Sequence, residues 1–140
     1  MYENPYGSSL EARVLSATPL ELVQMLFDAA VESAIDARRH LAAGRIPERG
    51  RAVSKTVAIL SELSKSLDHQ AGGELSARLA ALYDYIGRIL LEANFRQQDD
   101  GLAEAETLLR TLRDGWSQMR AQQPWTPAAG ESAGAHQWSA

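Results

Sequence analysis

The sequence predicts an all-α protein, an antiparallel up-down four-helix bundle with an N-terminal docking segment. Three observations predict it. Apolar residues recur every three or four positions through four successive segments. Glycine-bearing breakers separate those segments. Nowhere do β-branched and aromatic residues alternate over a sustained stretch, as strands require.

The first helix opens at Thr18-Pro19-Leu20-Glu21, a hydroxyl cap, a proline at the first helical position and a carboxylate three residues after the cap. In this capping box each side chain satisfies a free backbone N–H. Leu20, Val23, Phe27, Ala30, Ala34, Ala37 and Leu41 then form one stripe, widened by Leu22, Leu26 and Ala29, and Gly44 is placed to close the helix in a left-handed conformation. The second helix runs from near Pro47 to about Leu67 on Val53, Val57, Leu60, Ser64 and Leu67, with Ile59 and Leu63 alongside. Gly72-Gly73 breaks it. The third carries Leu75, Leu79, Leu82, Ile86, Ile89 and Ala93, with Tyr83 and Leu90 widening the face. Asp99-Asp100-Gly101 makes the next turn, and Leu102, Ala105, Leu109, Leu112, Trp116 and Met119 give the fourth helix a seam of alternating threes and fours. Each segment is about 20–25 residues, or roughly 30–38 Å. Similar lengths joined by short turns favour an up-down bundle.

Residues 1–17 interleave Tyr2, Tyr6, Leu10, Val14 and Leu15 with polar residues, and are expected to pack on the bundle or cover part of its surface. Residues 18–121 make the bundle. Residues 122–140, rich in Pro, Ala, Gly, Ser and Gln, are expected to be disordered. Trp125 and Trp138 there either stay loosely exposed or meet the bundle or a partner.

Charge and chemistry narrow the function. A net charge of −4 argues against nucleic acid, whose phosphates demand surplus Lys and Arg. Arg45, Arg49 and Arg51 are interrupted by Pro47, Glu48 and Gly50 and read as a solvated face. With no cysteine there is no disulfide, thiolate metal site or Cys nucleophile. No apolar run approaches the roughly 18 residues of a membrane span, and MYENPYGSS lacks the basic start and apolar centre of a signal peptide. A cytoplasmic protein is expected. A dimetal bundle site needs Glu-x-x-His motifs, yet none of His40, His69 and His136 has Glu three residues before it. Asp36 and His40 form a lone pair of the kind found on surfaces. Nucleophile elbows and phosphate-binding glycine loops are missing too, and Asp84 and Glu92 follow the spacing of a solvated face. The expectation is a protein without catalytic, cofactor or metal sites.

Four stretches carry a family resemblance. The run TPLELVQMLFDAAVESA, with Leu26, Phe27 and Asp28, resembles the first helix of the flagellar secretion chaperones, the FliS family, which bind flagellin. Leu67-Asp68 followed by Gly72-Gly73-Glu74 is the second match. LYDYIGRILLEANFR is the third and most specific, and the last helix ending in Trp116 is the fourth. Together they span roughly residues 6–119. Ala29 departs from the pattern, the family often having Gly there.

The resemblance implies a cytosolic bundle that holds the C-terminal segment of flagellin, prevents premature polymerisation, and delivers it to a membrane export-gate component of the flagellar type III apparatus. It implies no direct membrane insertion. The alternative is a helical adaptor for a different helical cargo. Stripes wider than a two-in-seven seam leave apolar surface over, and such surface marks interaction sites. The candidate flagellin-binding residues are Tyr6, Leu10 and Val14 in the N-terminal segment, Ile59 and Leu63 on the second helix, and Tyr83, Ile86, Leu90 and Asn94 on the third. Ile59 and Leu90 are expected at exposed groove positions. Tyr83 and Tyr85, about 100° apart on a helix, cannot share one part of the core. Tyr6, Leu10 and Val14 either cover the groove or extend the core, and Asn94 pairs either with cargo or internally.

Overall fold

The computed structural model describes residues 5–67 and 73–122, with side chains from Glu11 onward. It is all helical across them: α1 is Pro5–Ser16, α2 Pro19–Ala43, α3 Ile46–Leu67, α4 Gly73–Arg96 and α5 Asp99–Gln122. Helix α2 packs against α3 and α5, and α4 closes the square by packing against the same two. Successive helices of the square run antiparallel. The expected turn at residues 68–72 and the tail from 123, with Trp125 and Trp138, lie outside the described residues.

Local chemistry sets the helix ends. Thr18 Oγ1 accepts from the Glu21 amide at 3.1 Å, and Glu21 Oε1 accepts from the Thr18 amide at 2.9 Å. Two otherwise unpaired N–H groups are thereby satisfied. Gly44 closes α2 at φ 73°, where a Cβ would be strained, and its amide donates to Leu41 O at 3.1 Å. At the same end of the bundle Gln97 takes the same left-handed conformation, φ 57°, after α4.

The core is assembled from unequal side chains. Helix α2 contributes Ala30, Ala34 and Ala37, all fully buried, with Phe27 and Val31. The facing helices supply bulk: Val53, Leu60 and Leu63 from α3, Ile86 and Leu90 from α4, Leu102 and Leu109 from α5. Burying each of these large side chains contributes about 1.5–3 kcal/mol. At one end the Trp116 ring tilts against Phe27, centroids 6.2 Å apart, while its indole N–H donates to Leu20 O at 3.4 Å. Three stripe members fall outside the core, Leu20 at the start of α2, Leu75 at the start of α4 and Met119 near the end of α5.

The spacing overlooks three buried polar residues. Ser33 of α2 and Thr56 of α3 meet at 2.6 Å, and their hydroxyls also reach Ala30 O and Ala52 O. One hydroxyl donates across the helix pair and the other to its own turn. Arg49, which the interrupted basic stretch assigns to a solvated face, is buried at 5% exposure. Its Nε donates to Asn94 Oδ1 at 2.7 Å, and a terminal nitrogen donates to Asn94 O at 3.3 Å. A cation at the carbonyl end of α4 meets the negative end of the helix dipole.

Arg38 of α2 holds α5 by its first turns, bonding Asp99 at 2.7 Å and Glu106 at 2.9 Å. The hydrogen bond from Arg38 holds the Asp99 carboxyl below its ordinary value. Burial pushes Glu106 up, but hydrogen bonds from Arg38 and Arg110 outweigh it and the net shift is downward. Carboxyls with lowered folded-state pKa values stabilise the fold above the ordinary carboxylate range, and that stability is lost as pH falls through it. Acid titration is expected to lower the thermal midpoint progressively between about pH 5 and pH 3. Arg38→Met is expected to cost about 1 kcal/mol near neutrality, kept small by partial exposure, and to flatten that acid slope. Gly101 supplies a second expectation. A Cβ there would sit 2.9 Å from both Ala93 Cβ and Ile89 O, so α5 starts closer to α4 than alanine permits. Gly101→Ala should destabilise by about 1–3 kcal/mol in denaturant titrations.

Candidate functional site

Of the four helices of the square, α4 is wrapped least by its neighbours, and the groove it forms with α3 is open to solvent. On the α4 side the wall runs through Tyr83, Asp84, Gly87, Arg88 and Leu91; on the α3 side it is Val57, Leu60, Ser61 and Ser64. The antiparallel register places Gly87 over Leu60, whose Cδ1 lies 4.0 Å from where a Cβ would be. The apolar strip continues past the groove along α4, through Leu91 at 51% exposure and Phe95 at 85%. Ile46 is likewise exposed at the start of α3, the same end of the bundle, as the Arg49–Asn94 bond fixes. Contiguous exposed apolar surface of this kind is characteristic of interaction sites.

Charged groups on this face are internally matched. Asp84 pairs with Arg88 at 3.2 Å, Glu92 with Arg96 at 3.0 Å and Glu62 with Lys65 at 3.3 Å, each within its own helix. Asp84 and Glu92 thus sit on the solvated face their spacing indicates. The groove carries little net field and suits an uncharged face.

The candidate contact residues divide sharply. Ile59, Leu63, Ile86 and Leu90 lie in the core, and only Tyr83 reaches the groove wall, although it too is mostly buried. Ile59 and Leu90 therefore do not stand at exposed groove positions: α3 and α4 are rotated so that these side chains join the buried core. Burial also pushes the Tyr83 hydroxyl above its ordinary pKa. Tyr85, on a different face as expected, donates its hydroxyl to Glu104 Oε2 at 2.5 Å, bridging α4 to α5. Asn94 is engaged internally by Arg49. Val14 is exposed on α1, as are all its side chains from Glu11 to Ser16, and the side chains of Tyr6 and Leu10 lie outside the described ones.

Leu91, Phe95 and Gly87 escape the sequence reading. Leu91 and Phe95 sit four residues apart, a helical-face signal in the sequence, but its periodicity cannot say which apolar residues the bundle leaves outside. Another depression, between α2 and α5, is lined by Ile35, Leu41 and Ala42 with Arg38, Asp99 and Glu106. Arg38, Asp99 and Glu106 are spent on each other there, and Arg39 at its edge pairs with Asp36. Among the described residues no cluster of His, Asp and Glu could hold a metal ion: Asp36 pairs with Arg39 at 3.1 Å, and His40 with Arg45 at 3.2 Å. No described helix is long and apolar enough to cross a membrane.

Comparison with known proteins bears on what such a groove holds. A family model described as "Flagellar protein FliS" matches residues 2–123. A flagellar secretion chaperone FliS of Salmonella typhimurium is 39% identical over 112 residues, covering 79% of this chain and 83% of that protein. Flagellar secretion chaperone FliSB of Pseudomonas aeruginosa is 36% identical over 108 residues, 77% and 86% of the two chains. A FliS of Bacillus subtilis is 32% identical over 116 residues, 83% and 86%.

The geometry separates core from groove by mutation. Leu90→Glu buries a charge with no partner and should abolish cooperative thermal unfolding and most of the helical circular dichroism. Ile59→Glu should do the same in milder form. Leu91→Glu and Phe95→Glu, placed in water, should leave both signals within about 0.5 kcal/mol of the parent.

Proposed function

Because the chain belongs to the FliS family of flagellar proteins, we propose that it is a flagellar secretion chaperone whose cargo is the C-terminal segment of flagellin. The observation that carries this reading is the open apolar groove between α3 and α4, extended by Leu91 and Phe95. An amphipathic segment lays its apolar side into such a groove and has it covered. Polymerisation through that side is then blocked, while the segment is held only by non-covalent contacts that release for export. The chaperone works in the cytoplasm and passes its cargo to a membrane export-gate component of the flagellar type III apparatus.

A segment that folds on binding loses several kcal/mol to ordering. It needs an extended interface, above about 2,000 Å² in total. One groove does not supply this, so the cargo wraps further around the bundle. Of the residues singled out in the sequence, Tyr83 contacts cargo directly, while Ile59, Leu63, Ile86, Leu90 and Asn94 hold the groove's shape from beneath. Helix α1, joined to α2 through Ala17 and Thr18 alone, carries exposed Val14 and Leu15, and these add to the apolar surface that cargo covers.

Full-length flagellin should co-purify with the chain in a one-to-one complex, and flagellin lacking its C-terminal segment should not. Calorimetry with that segment should give a negative heat-capacity change and a gain of helix on mixing. Phe95→Glu should weaken the complex at least tenfold with the fold intact, the equivalent of about 1.4 kcal/mol. Equal recovery of both flagellin forms would refute the assignment of the cargo segment.

A further inference from the structure

We propose that Gly87 is the point of closest approach between the bundle and its cargo helix, where one large apolar cargo side chain seats between Tyr83 and Leu91. The proposal rests on reading the α3–α4 groove as the cargo site. It begins from a residue that the fold of the free chain does not require. Glycine in mid-helix is unfavourable relative to alanine, because it orders more backbone and buries no side chain. Gly87 stands in the middle of α4, and a Cβ placed on it would meet only Leu60 Cδ1, at the ordinary contact distance of 4.0 Å. Gly101 differs, since a Cβ there clashes at 2.9 Å, and so does Gly44, whose left-handed backbone favours glycine. Gly87 has neither reason.

Its position supplies one. Gly87 lies in the groove wall, with Tyr83 one turn before it, Leu91 one turn after, and the small side chains of Ser61 and Ser64 across on α3. The missing Cβ deepens the hole between them. The flanking charges Asp84 and Arg88 bind each other, so the hole presents no unmatched charge to an ionic ligand. Exposed Leu91 and Phe95 continue the apolar track along the same helix. From Tyr83 to Phe95 the apolar track along α4 measures about 18 Å at 1.5 Å per residue. The occupant that fits is one amphipathic helical stretch of the flagellin C-terminal segment, roughly 12 residues long at the same rise, with a Leu-sized or aromatic residue over Gly87.

The experiment uses the full chain with Gly87→Ala, Gly87→Leu and a matched control, Gly115→Ala. Gly115 is on the exposed side of α5, where a Cβ would find nothing within 4 Å, and it touches no part of the groove. Thermal midpoints are read by circular dichroism and affinity for the flagellin C-terminal segment by calorimetry. Both alanine variants should raise the midpoint by about 2–5 °C. Gly115→Ala should keep the parent's affinity, while Gly87→Ala loses about tenfold and Gly87→Leu about a hundredfold or more, by overfilling the hole. Parent-like affinity in both Gly87 variants would overturn the proposal and leave the cargo reading standing. A lower midpoint for Gly87→Ala would also overturn it, because glycine would then serve the fold. If the parent chain itself failed to bind the segment, the cargo reading would fall and take this inference with it.

Discussion

The structure depends on how closely α2 approaches its neighbours. Ala30, Ala34 and Ala37 form a fully buried seam of small side chains, and α3 and α5 close onto it. Large residues on those helices, Leu60, Leu63, Leu102 and Leu109, fill the space that the alanines leave. Small facing large gives native packing density without strain. It also means that α2 is embraced closely from two sides, while α4, across the square, meets the same two helices more loosely. The open groove follows from this asymmetry.

Buried and partly buried polar contacts then fix the register. Ser33 against Thr56 locks α2 to α3 at mid-height, Arg49 against Asn94 locks α3 to the end of α4, and Arg38 against Asp99 and Glu106 locks α2 to the start of α5. Apolar stripes alone tolerate sliding by a turn, whereas hydrogen bonds between buried groups do not, because a shifted register leaves a donor or acceptor unpaired. The first contact lies at mid-height and the other two near the end where α4 finishes and α5 begins. Together they hold the α3–α4 groove in one shape.

A chaperone of this kind has to satisfy two opposed demands. Its own core must be complete, so that the empty protein stays folded; its surface must be incomplete, so that a cargo chain has something to cover. Here the demands are met on different faces of the same helix. Ile86 and Leu90 of α4 point inward and Leu91 and Phe95 outward, so a one-residue step from Leu90 to Leu91 crosses from core to exterior.

Much of this is legible in the sequence. The capping box at Thr18, the left-handed Gly44, the order of four long helices and the family resemblance all rest on local spacing and residue identity, which the chain carries without reference to its neighbours. The packing partners of each helix face are not legible there. Ile59 and Leu90 read as surplus apolar surface because their stripes are wide, but only the crossing of α3 and α4 with α2 and α5 decides that they are covered. Arg49 reads as solvated for the converse reason, since nothing in an interrupted basic stretch announces that Asn94, 45 positions away, will bury it. Periodicity fixes which residues share a face; the rotation of each helix, set by its packing against the others, decides which faces are interior. For this protein that rotation alone separates the residues that hold the bundle from those it leaves exposed.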